Sequence, residues 1–411
     1  MVRHWLFLVV GLCLASGCGR GNDPPVDLKQ PAAGQVGDWI LGEPIQQANL
    51  TVFPLLSREP RTEDRFITLD EGLKQGTIEV LEVGIAAQSS PPVASRGSPD
   101  PFGDESSPTD VAPAQRANQV NSVTVVNKSD RPLYLMPGEI IVGGDQDRTI
   151  GREYVIQPDK KPVTIDVFCV EHGRWNQRGG AQYAELFAAA SNTEALSSSV
   201  AVSGGANANL ETAARDADSG KFVASVGSVS KEARQAVLET ADQGEVWNKV
   251  ASVNARSSVK GESGAFTGNY AEERAVRRLE PYLEKLQRPA AETPRIVGVV
   301  VAINGKVESL DAFESTPLFQ KLWPKLLKSY ALDAANADPA AATTVCSREA
   351  ASQFVADLQS APRQHKEGQE TIGITTRSTD RLSGFMFSDD SDSLSFGGGL
   401  GGGVHSAGFA K

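Results

Sequence analysis

Two short polar clusters hold the side chains that could do the most chemistry in this sequence. The first surrounds Gly143-Gly144, and the second follows an apolar run that ends at Val170. Each cluster contains an arginine, Arg148 or Arg174, whose guanidinium could hold a carboxylate or phosphate through two parallel hydrogen bonds. Loops at strand ends commonly carry binding residues, so two strands of one sheet could present both clusters on one rim. The predicted binding rim comprises Glu139, Gln146, Arg148, Glu171, His172, Arg174 and Trp175.

A second interpretation of the same residues is structural. Glu139 or Glu171 could pair with an arginine and lock the rim, and Trp175 could be a core residue rather than a stacking platform for a ligand ring. Substitution of Arg148 or Arg174 by alanine separates the two interpretations. Loss of ligand binding with an intact fold indicates a binding rim, whereas a change in stability alone indicates a structural one.

Catalytic arrangements are weaker in this sequence. Cys169 and His172 are three residues apart, and on a continuing strand that spacing places them on opposite faces, which disfavours a Cys–His pair. Carboxylates near His172 could ligate a metal, but the chain has only 4 histidines, and we predict neither a metal nor another cofactor. Binding is therefore favoured over catalysis, and catalysis stays open.

The first 18 residues have the pattern of an exported lipoprotein. A basic head at Arg3 precedes an apolar run over 5–14, which is followed by three small residues and Cys18. The run is too short to span a bilayer, which takes about 20 apolar residues, and is typical of a cleaved signal. The small residues before the cysteine resemble a lipoprotein cleavage site, with Ala15 in place of the usual leucine. We expect residues 1–17 to be removed and Cys18 to be lipidated; the alternative is an ordinary signal peptide followed by a chance cysteine.

Composition excludes one class of partner and limits the covalent crosslinks. The chain has 51 acidic and 40 basic residues and a net charge of −11, which argues against nucleic-acid binding because such proteins need basic surfaces to displace counterions. We expect a protein anchored by its lipid to a bacterial membrane, facing the periplasm or the cell exterior, with a small ligand or an envelope protein as partner. Cys169 and Cys346 could form a disulfide or remain two buried thiols.

The elements that must position the rim are strands. Short apolar and alternating runs separated by turn signals dominate residues 48–175, which predicts an antiparallel sandwich or barrel-like half. Within this half, Tyr154–Ile156 and 163–170 are predicted to pair as a hairpin. Helical periodicity dominates residues 180–387, where Asn304-Gly305 also marks a β-hairpin with a type I′ turn. The predicted fold class is therefore α+β, with a β-rich N-terminal half packed against a helical C-terminal half that contains one or two hairpins.

Composition changes sharply at two places. Residues 86–119 are rich in Ser, Pro, Asp and Gln and have few large apolar residues, so burial cannot offset the entropy of ordering them and we predict disorder. Residues 388–411 are acidic and then glycine-rich, with no evident packable face. The predicted organisation is a signal peptide (1–17), a tether (18–47), an α+β domain (48–335) interrupted by the disordered insertion (86–119), a helix and hairpin extension (336–387), and a disordered tail (388–411).

Five ordered motifs carry a resemblance to a known family. Together they span about residues 48–335, and they resemble the ARG (ADP-ribosylglycohydrolase) and rhodanese-phosphatase-superfamily-associated protein domain. The family name records gene neighbourhood, so the resemblance implies a domain class rather than a particular reaction. Asp145 stands where the family pattern has a lysine, which argues against anion binding by that loop. The motifs are TLDEG (68–72), GEIIVGGDQDR (138–148), VFCVEHGRW (167–175), QGEVWNKVA (243–251) and LWPKLLKSYALD (322–333).

Three functions are consistent with the sequence. We favour a ligand-binding or protein-binding scaffold module at the cell envelope, because no complete catalytic constellation is evident. The alternative is a hydrolase that acts on phosphorylated or ADP-ribosylated substrates, and this alternative rests on the family association alone. The third is a structural component of the envelope, in which the rim arginines contribute only to stability.

Overall fold

The computed structural model describes residues 35–83, 121–174, 201–202, 220–261, 263–338, 345–366, 372–389 and 404–411. The segments predicted to be a signal peptide (1–17) and a disordered insertion (86–119), the predicted lipidation site Cys18 and the predicted rim residue Trp175 therefore lie outside the described residues. In chain order the strands are β1 (Gln35–Val36), β2 (Trp39–Leu41), β3 (Ile45–Gln47), β4 (Leu50–Ser57), β5 (Ile67–Thr68), β6 (Ile78–Glu82), β7 (Ser122–Asn127), β8 (Leu133–Leu135), β9 (Glu139–Gly143), β10 (Arg148–Ile150), β11 (Tyr154–Ile156), β12 (Pro162–Cys169), β13 (Ala201–Val202), β14 (Lys221–Ser228), β15 (Ile296–Ile303), β16 (Lys306–Phe313), β17 (Arg363–Lys366), β18 (Ile372–Ser378), β19 (Leu382–Asp389) and β20 (His405–Ala410). The helices are α1 (Leu69–Gln75), α2 (Lys231–Gln235), α3 (Gln243–Ser257), α4 (Gly268–Ala271), α5 (Glu273–Ala291), α6 (Thr316–Asn336) and α7 (Arg348–Ser360), with a π-helical turn over Ala236–Thr240.

Six strands close into an antiparallel barrel in the order β14, β6, β7, β12, β10, β9 and back to β14. Closure removes the unpaired strand edges that an open sheet would expose. Alternate residues along each strand fill the interior, among them Val80, Val125, Ile141, Ile165 and Phe222. The predicted α+β class and barrel-like half are thus confirmed. The strand that closes the barrel, β14, lies at Lys221–Ser228. Residues 48–175 therefore do not complete the barrel by themselves.

A second, ten-stranded antiparallel sheet combines strands from residues 35–57 with strands from residues 296–410. Its order is β1, β2, β4, β15, β16, β20, β19, β18 and β17, with β3 also paired to β4. Strands β1, β2 and β3 lie within the predicted tether (18–47), so that prediction is wrong for residues 35–47, where Trp39 and Leu41 are buried. The central β4–β15 pair sets Phe53 opposite Val300, so an N-terminal strand depends on a C-terminal one. The β15–β16 hairpin is confirmed, because Asn304 and Gly305 both have positive φ, +52° and +78°, as a type I′ turn requires.

The predicted hairpin between Tyr154–Ile156 and 163–170 is wrong. Strand β11 pairs with β8 in a small sheet that also contains β5, whereas β12 pairs with β7 and β10 in the barrel. The two segments touch through one side chain instead, because the Tyr154 hydroxyl accepts a hydrogen bond of 2.7 Å from the Asp166 N–H. The two segments are therefore in contact, as predicted, but through a side-chain hydrogen bond and not through strand pairing.

The predicted disordered tail is wrong for its last residues. Strand β20 inserts between β16 and β19, and Phe409 lies opposite Ser309 on one side and Ser383 on the other. His405 and Phe409 are fully buried. The strand is short and mixes small residues with one aromatic, so its alternation is too brief to distinguish it from the glycine-rich sequence before it.

Helices cover both faces of the ten-stranded sheet. On one face, α5 and α6 pack with residues of β4, β15 and the outer surface of the barrel in one continuous apolar cluster. On the other face, Phe354 and Leu358 of α7 pack against β4, β15 and β16. Helix α1 is capped at both ends. At its start the Thr68 N–H donates to the Glu71 carboxylate at 3.0 Å, and at its end Gly76 adopts the left-handed conformation.

Deletion of residues 404–411 tests the role of β20. We expect a loss of several kcal/mol in the free energy of unfolding, of which about 3–5 kcal/mol comes from leaving buried charges without their partner. Urea unfolding followed by near-ultraviolet circular dichroism measures the change. Deletion of Lys411 alone, which is exposed, is the matched control and should change stability by less than about 0.5 kcal/mol. Equal stability of the two truncated proteins would contradict the insertion of β20 into the sheet.

Candidate functional site

Part of the predicted rim assembles at one end of the barrel. The members that meet there are Gln146, Arg148, Glu171 and Arg174. The Arg174 guanidinium donates from Nε to Glu171 at 2.8 Å, from Nη1 to the Gly144 carbonyl at 2.9 Å, and lies 3.3 Å from the Asp147 carboxylate. Asp147 also accepts a 2.9 Å hydrogen bond from the Thr267 hydroxyl. This arginine therefore ties the loop after β9 to the end of β12 and to α4.

The second rim arginine is held in a similar way. Arg148 donates from Nη1 to the Gln146 side chain at 3.1 Å, and its Nη2 lies 3.3 Å from the Glu82 carboxylate. Glu82 also accepts from the Asp145 N–H at 3.2 Å. Burial raises the pKa of Glu82, although Arg148 opposes the shift. A side chain on Gly144 would collide with Glu82, because an added Cβ would lie 2.4 Å from its Oε1.

The rim side chains thus bind one another, as the structural interpretation of Glu171 expects. Arg148, Glu171 and Asp147 are buried, and Arg174 is 8% exposed. An incoming anion would have to displace these carboxylates at a cost in desolvation. Ligand binding at the rim stays a prediction, but both rim arginines already have carboxylate partners, which are Glu82 for Arg148 and Glu171 and Asp147 for Arg174.

Two predicted rim residues lie apart from this group. Glu139 begins β9 at the end opposite Gly143, where it pairs with Lys325 and accepts a 3.1 Å hydrogen bond from Ser225. Burial raises the pKa of Glu139, and Lys325 opposes that shift. His172 is exposed, and its ring meets the Trp247 ring edge-on at 4.6 Å. The single-rim prediction is therefore wrong for Glu139, because the strand carries it to the other end of the barrel.

The two remaining cysteines are both free and buried. The backbone of Cys169 exchanges two hydrogen bonds with the Gln243 amide at 2.8 and 2.9 Å. Burial raises the pKa of the Cys169 thiol to about 11, so it is protonated at neutral pH and is a poor nucleophile. Of the two alternatives left open by the sequence, the structure has two buried thiols rather than a disulfide.

A buried charge network that the sequence analysis missed lies between the barrel and the large sheet. Arg234 of α2 makes two parallel hydrogen bonds to Asp311 of β16, at 2.9 and 2.7 Å. His405 of β20 contacts Asp311 through Nε2 and Glu153 through Nδ1, both at 3.0 Å. Tyr330 of α6 donates its hydroxyl to Asp311. All of these side chains are at most 2% exposed, except Glu153 at 3%.

The electrostatics of this network favour a charged histidine. Burial opposes protonation of His405, but the Asp311 and Glu153 carboxylates on its two nitrogens outweigh that effect and raise its pKa. Burial likewise opposes ionisation of Asp311, but Arg234 and His405 together outweigh that effect, so the pKa of Asp311 is lowered. Burial raises the pKa of Glu153. The one sequence signal was Asp311 itself, an acid inside the apolar end of a strand, which requires a buried partner.

Next to this network an open cleft separates the barrel from the large sheet. Its volume is about 450 Å³, within the usual range for small-molecule sites. One wall is the barrel strand β12 with Phe168, the second is the π-helical turn with Leu238, and the third is the β18–β19 hairpin. The lining residues are Asn121, Gly151, Arg152, Asp166, Val167, Phe168, Val237, Leu238, Ala241, Ile374, Thr376, Phe385 and Phe387.

The cleft has an apolar interior and a polar edge. Arg152 lies 3.2 Å from the Asp166 carboxylate and donates to the Tyr154 hydroxyl at 2.9 Å, and its side chain is 26% exposed. The π-helical turn ends at Ala241, which adopts a positive φ of +49°. Such turns occur frequently at functional sites because they re-aim side chains within a helix. Phe387 lines the cleft and also stacks on His405, with ring centroids 5.8 Å apart.

The fold defines an α+β domain in which a closed barrel is fastened to a large sheet beside an apolar cleft. The chain belongs to the ARG and Rhodanese-Phosphatase-superfamily-associated Protein domain family, whose profile matches residues 38–392. The match extends on both sides of the span 48–335 that the motifs cover. No curated protein and no solved structure matches the chain.

Two features are absent from the residues that the structure describes. Within them, no helix is both long and apolar enough to cross a membrane. Also within them, no set of three or more His, Cys, Asp and Glu side chains is arranged to hold a metal ion.

Arg174→Ala tests the structural role of the rim. The substitution leaves Glu171 and Asp147 buried without their cation, so we expect the free energy of unfolding to fall by about 3–5 kcal/mol. Arg277→Ala, which removes an i,i+4 pair with Glu273 whose side chains are 71% and 78% exposed, should cost less than about 1 kcal/mol. Chemical denaturation compares the two. A similar small loss for both would contradict the structural role of Arg174.

A buried lysine on α6 provides a test by pH. Lys328 is 1% exposed, donates to the Val226 carbonyl at 2.9 Å, and lies over the Tyr270 ring. Burial lowers its pKa to about 7, although Asp70 opposes the shift. The folded state therefore releases a proton that the unfolded chain retains between pH 7 and its ordinary pKa near 10.5. Across that window stability should rise with pH because of this group.

Lys328→Met should remove this contribution. We expect the wild-type free energy of unfolding to rise between pH 7 and pH 9.5 relative to the variant, by at most about 1.4 kcal/mol per pH unit. Urea unfolding at three pH values measures the difference. Lys306→Met, at an exposed position of the β15–β16 turn, should leave the pH profile unchanged. Parallel profiles for wild type and Lys328→Met would contradict the burial of a neutral lysine.

Proposed function

We propose that the protein is a lipid-anchored binding module of the bacterial cell envelope, and that its ligand occupies the cleft between the barrel and the β18–β19 hairpin. The observation that carries the proposal is the cleft itself, about 450 Å³ of mainly apolar lining with one ion pair at its edge. Ligand sites typically combine an apolar lining with a few oriented polar groups. The chemistry fits a small amphipathic molecule whose apolar part lies against Phe168, Leu238 and Phe385.

The chemical groups at the cleft favour binding over turnover. Its polar lining consists of Asn121, Arg152, Asp166 and Thr376, and Arg152 and Asp166 already hold each other at 3.2 Å. His405 lies behind Phe387 and is fully buried, with both ring nitrogens in contact with carboxylates. A general base must reach the proton that it removes, and this histidine is positioned to hold the wall of the cleft instead.

The anchor part of the proposal is supported by the N-terminal sequence. The basic head, short apolar run and small residues before Cys18 form a lipoprotein signal, and a polar stretch rich in Gly and Pro follows it. Several acyl chains on one cysteine give a durable anchor, whereas one chain binds membranes only marginally. A flexible tether would leave the domain free to meet its ligand near the membrane surface.

Leu238→Arg tests the cleft as the binding site. The uncharged fluorescent probe N-phenyl-1-naphthylamine should bind the wild-type protein saturably, with a stoichiometry of one. A guanidinium placed on the apolar wall should weaken binding at least tenfold, equivalent to about 1.4 kcal/mol. Leu56→Arg, another partly buried leucine that packs on the core away from the cleft, is the matched control and should bind as wild type does. Ile374→Arg, on the opposite wall, should repeat the loss.

Circular dichroism of each variant separates loss of binding from loss of fold. Equal probe affinity in Leu238→Arg and Leu56→Arg, with both folded, would rule out the cleft as the site. Absence of saturable binding to the wild-type protein would count against a preformed apolar site of this size.

Cys18→Ser tests the anchor. The wild-type protein, produced in a bacterium that processes lipoproteins, should sediment with membranes and incorporate radiolabelled palmitate. The variant should lose the label and retain its uncleaved signal, because the acylation that precedes cleavage needs the thiol. Cys169→Ser, a buried thiol of the folded domain, controls for the loss of a cysteine as such. Labelling of the Cys18→Ser protein would contradict lipidation at this residue.

A further inference from the structure

A second cavity lies at the C-terminal end of α6, on a different part of the domain from the cleft. Its volume is about 250 Å³, slightly below the usual range for drug-sized ligands, which suits a small molecule. It is open to solvent and is lined by the start of α2, by α3, by the β15–β16 hairpin and by the end of α6. The lining residues are Lys231, Glu232, Arg256, Ile303, Glu308, Asp333, Asn336 and Ala337.

Charge in this cavity is unbalanced. Lys231 pairs with Glu308, and Arg256 lies 3.1 Å from the Glu232 carboxylate, so both cations of the lining are already engaged. Asp333 accepts a 3.0 Å hydrogen bond from the Lys231 backbone N–H, and within the described residues no cationic side chain lies within salt-bridge distance of its carboxylate. Within the described residues, the third carboxylate of the cavity therefore has no direct ion-pair partner, and the charges of Lys231 and Arg234 act on it only from a longer distance.

Helix α6 adds to the negative potential. It has 21 residues and ends at Asn336, so the aligned dipoles of its peptide groups place a partial negative charge at the cavity. Arg278, which does not line the cavity, neutralises part of this charge because it donates to the Ala335 carbonyl and, at 3.0 Å, to the Asn336 side chain. Asn336 is also fixed by the Ser257 hydroxyl at 2.8 Å. The cavity floor is thus rigid and electronegative, with Ile303 as an apolar surface.

We propose that this cavity binds a short aliphatic diamine, with one primary ammonium group on the Asp333 carboxylate, its methylene chain against Ile303, and its second ammonium group toward Glu232 or Glu308. A primary ammonium offers three donors, which suits a carboxylate beside the carbonyl end of a helix. The lining carries three carboxylates and two cationic side chains, and this excess of negative charge disfavours anions. A neutral ligand would leave the ionised form of Asp333 without an ion-pair partner.

Proton linkage gives the site a distinctive signature. Burial raises the pKa of Asp333 to about 7; the Lys231 N–H and ammonium group oppose the shift, Glu232 adds to it and Arg234 opposes it. An ammonium group on the carboxylate favours its ionised form, so binding near pH 6.5 must release a proton from Asp333. Affinity for the diamine should therefore rise between pH 6 and pH 8.

Isothermal titration calorimetry of the full chain with 1,4-diaminobutane tests the proposal. We expect one diamine per chain, tighter binding at pH 8 than at pH 6, and proton release when two buffers of different ionisation enthalpy are compared at pH 6.5. Butane-1,4-diol, which lacks the charges, should not bind. Binding of the diol as tight as that of the diamine, or no diamine binding at pH 8, would overturn the proposal.

Variants locate the site. Asp333→Asn removes the charge and keeps an oxygen that can accept from the Lys231 N–H, so the fold should persist while diamine affinity falls at least tenfold and proton release disappears. Glu308→Gln should weaken binding less. Asp380→Asn, at an exposed turn, is the matched control and should bind as wild type. Unchanged affinity in Asp333→Asn would overturn the site.

The same ammonium chemistry could come from a lysine side chain of another protein, and a further titration separates the two sources. Nα-acetyl-lysine methylamide carries one such side chain without the second ammonium group. We expect it to bind at least tenfold more weakly than 1,4-diaminobutane. Tighter binding of the lysine derivative would overturn the free diamine as the ligand.

Discussion

The bidentate pair between Arg234 and Asp311 lies where four parts of the molecule meet, and the arrangement of those parts depends on it. Arg234 follows the strand that closes the barrel, Asp311 belongs to the large sheet, Tyr330 to α6, and His405 to the inserted C-terminal strand. Glu153, from the segment between β10 and β11, completes the chain of contacts. A buried charge without its partner costs several kcal/mol. Movement of any one of these elements would leave such a charge in the others, so the network fixes their arrangement.

The buried network around Arg234 and Asp311 also determines the shape of the cleft. Phe387 contacts His405 on one side and the cleft on the other, and Arg152, at the polar edge, is the neighbour of Glu153. The π-helical turn continues directly from α2, which carries Arg234. All three walls of the cleft are thus attached to the network, which gives a preformed site. Preformed sites avoid the ordering cost that a flexible one incurs on binding.

Sequence patterns predicted the fold class, the barrel-like half and both C-terminal hairpins, because alternation and turn chemistry are local signals. They also brought Arg148, Glu171 and Arg174 together at one end of the barrel. They failed for β20 and for Glu139, since pairing between distant segments and the end of a strand at which a residue lies are set by tertiary packing. The cleft could not be predicted from local sequence patterns either, because its walls contain residues more than 200 positions apart, such as Phe168 and Phe385.

The measurement that tests the account most directly is hydrogen–deuterium exchange of the full chain with and without saturating N-phenyl-1-naphthylamine. Exchange reports local opening of backbone hydrogen bonds, so a ligand in the cleft should protect the elements that line it. We expect slower exchange confined to the three walls of the cleft, which are the C-terminal end of β12, the π-helical turn (Ala236–Thr240), and β18 and β19. Protection at the barrel rim around residues 143–148, or a uniform change across the domain, would contradict the assignment of the cleft as the binding site.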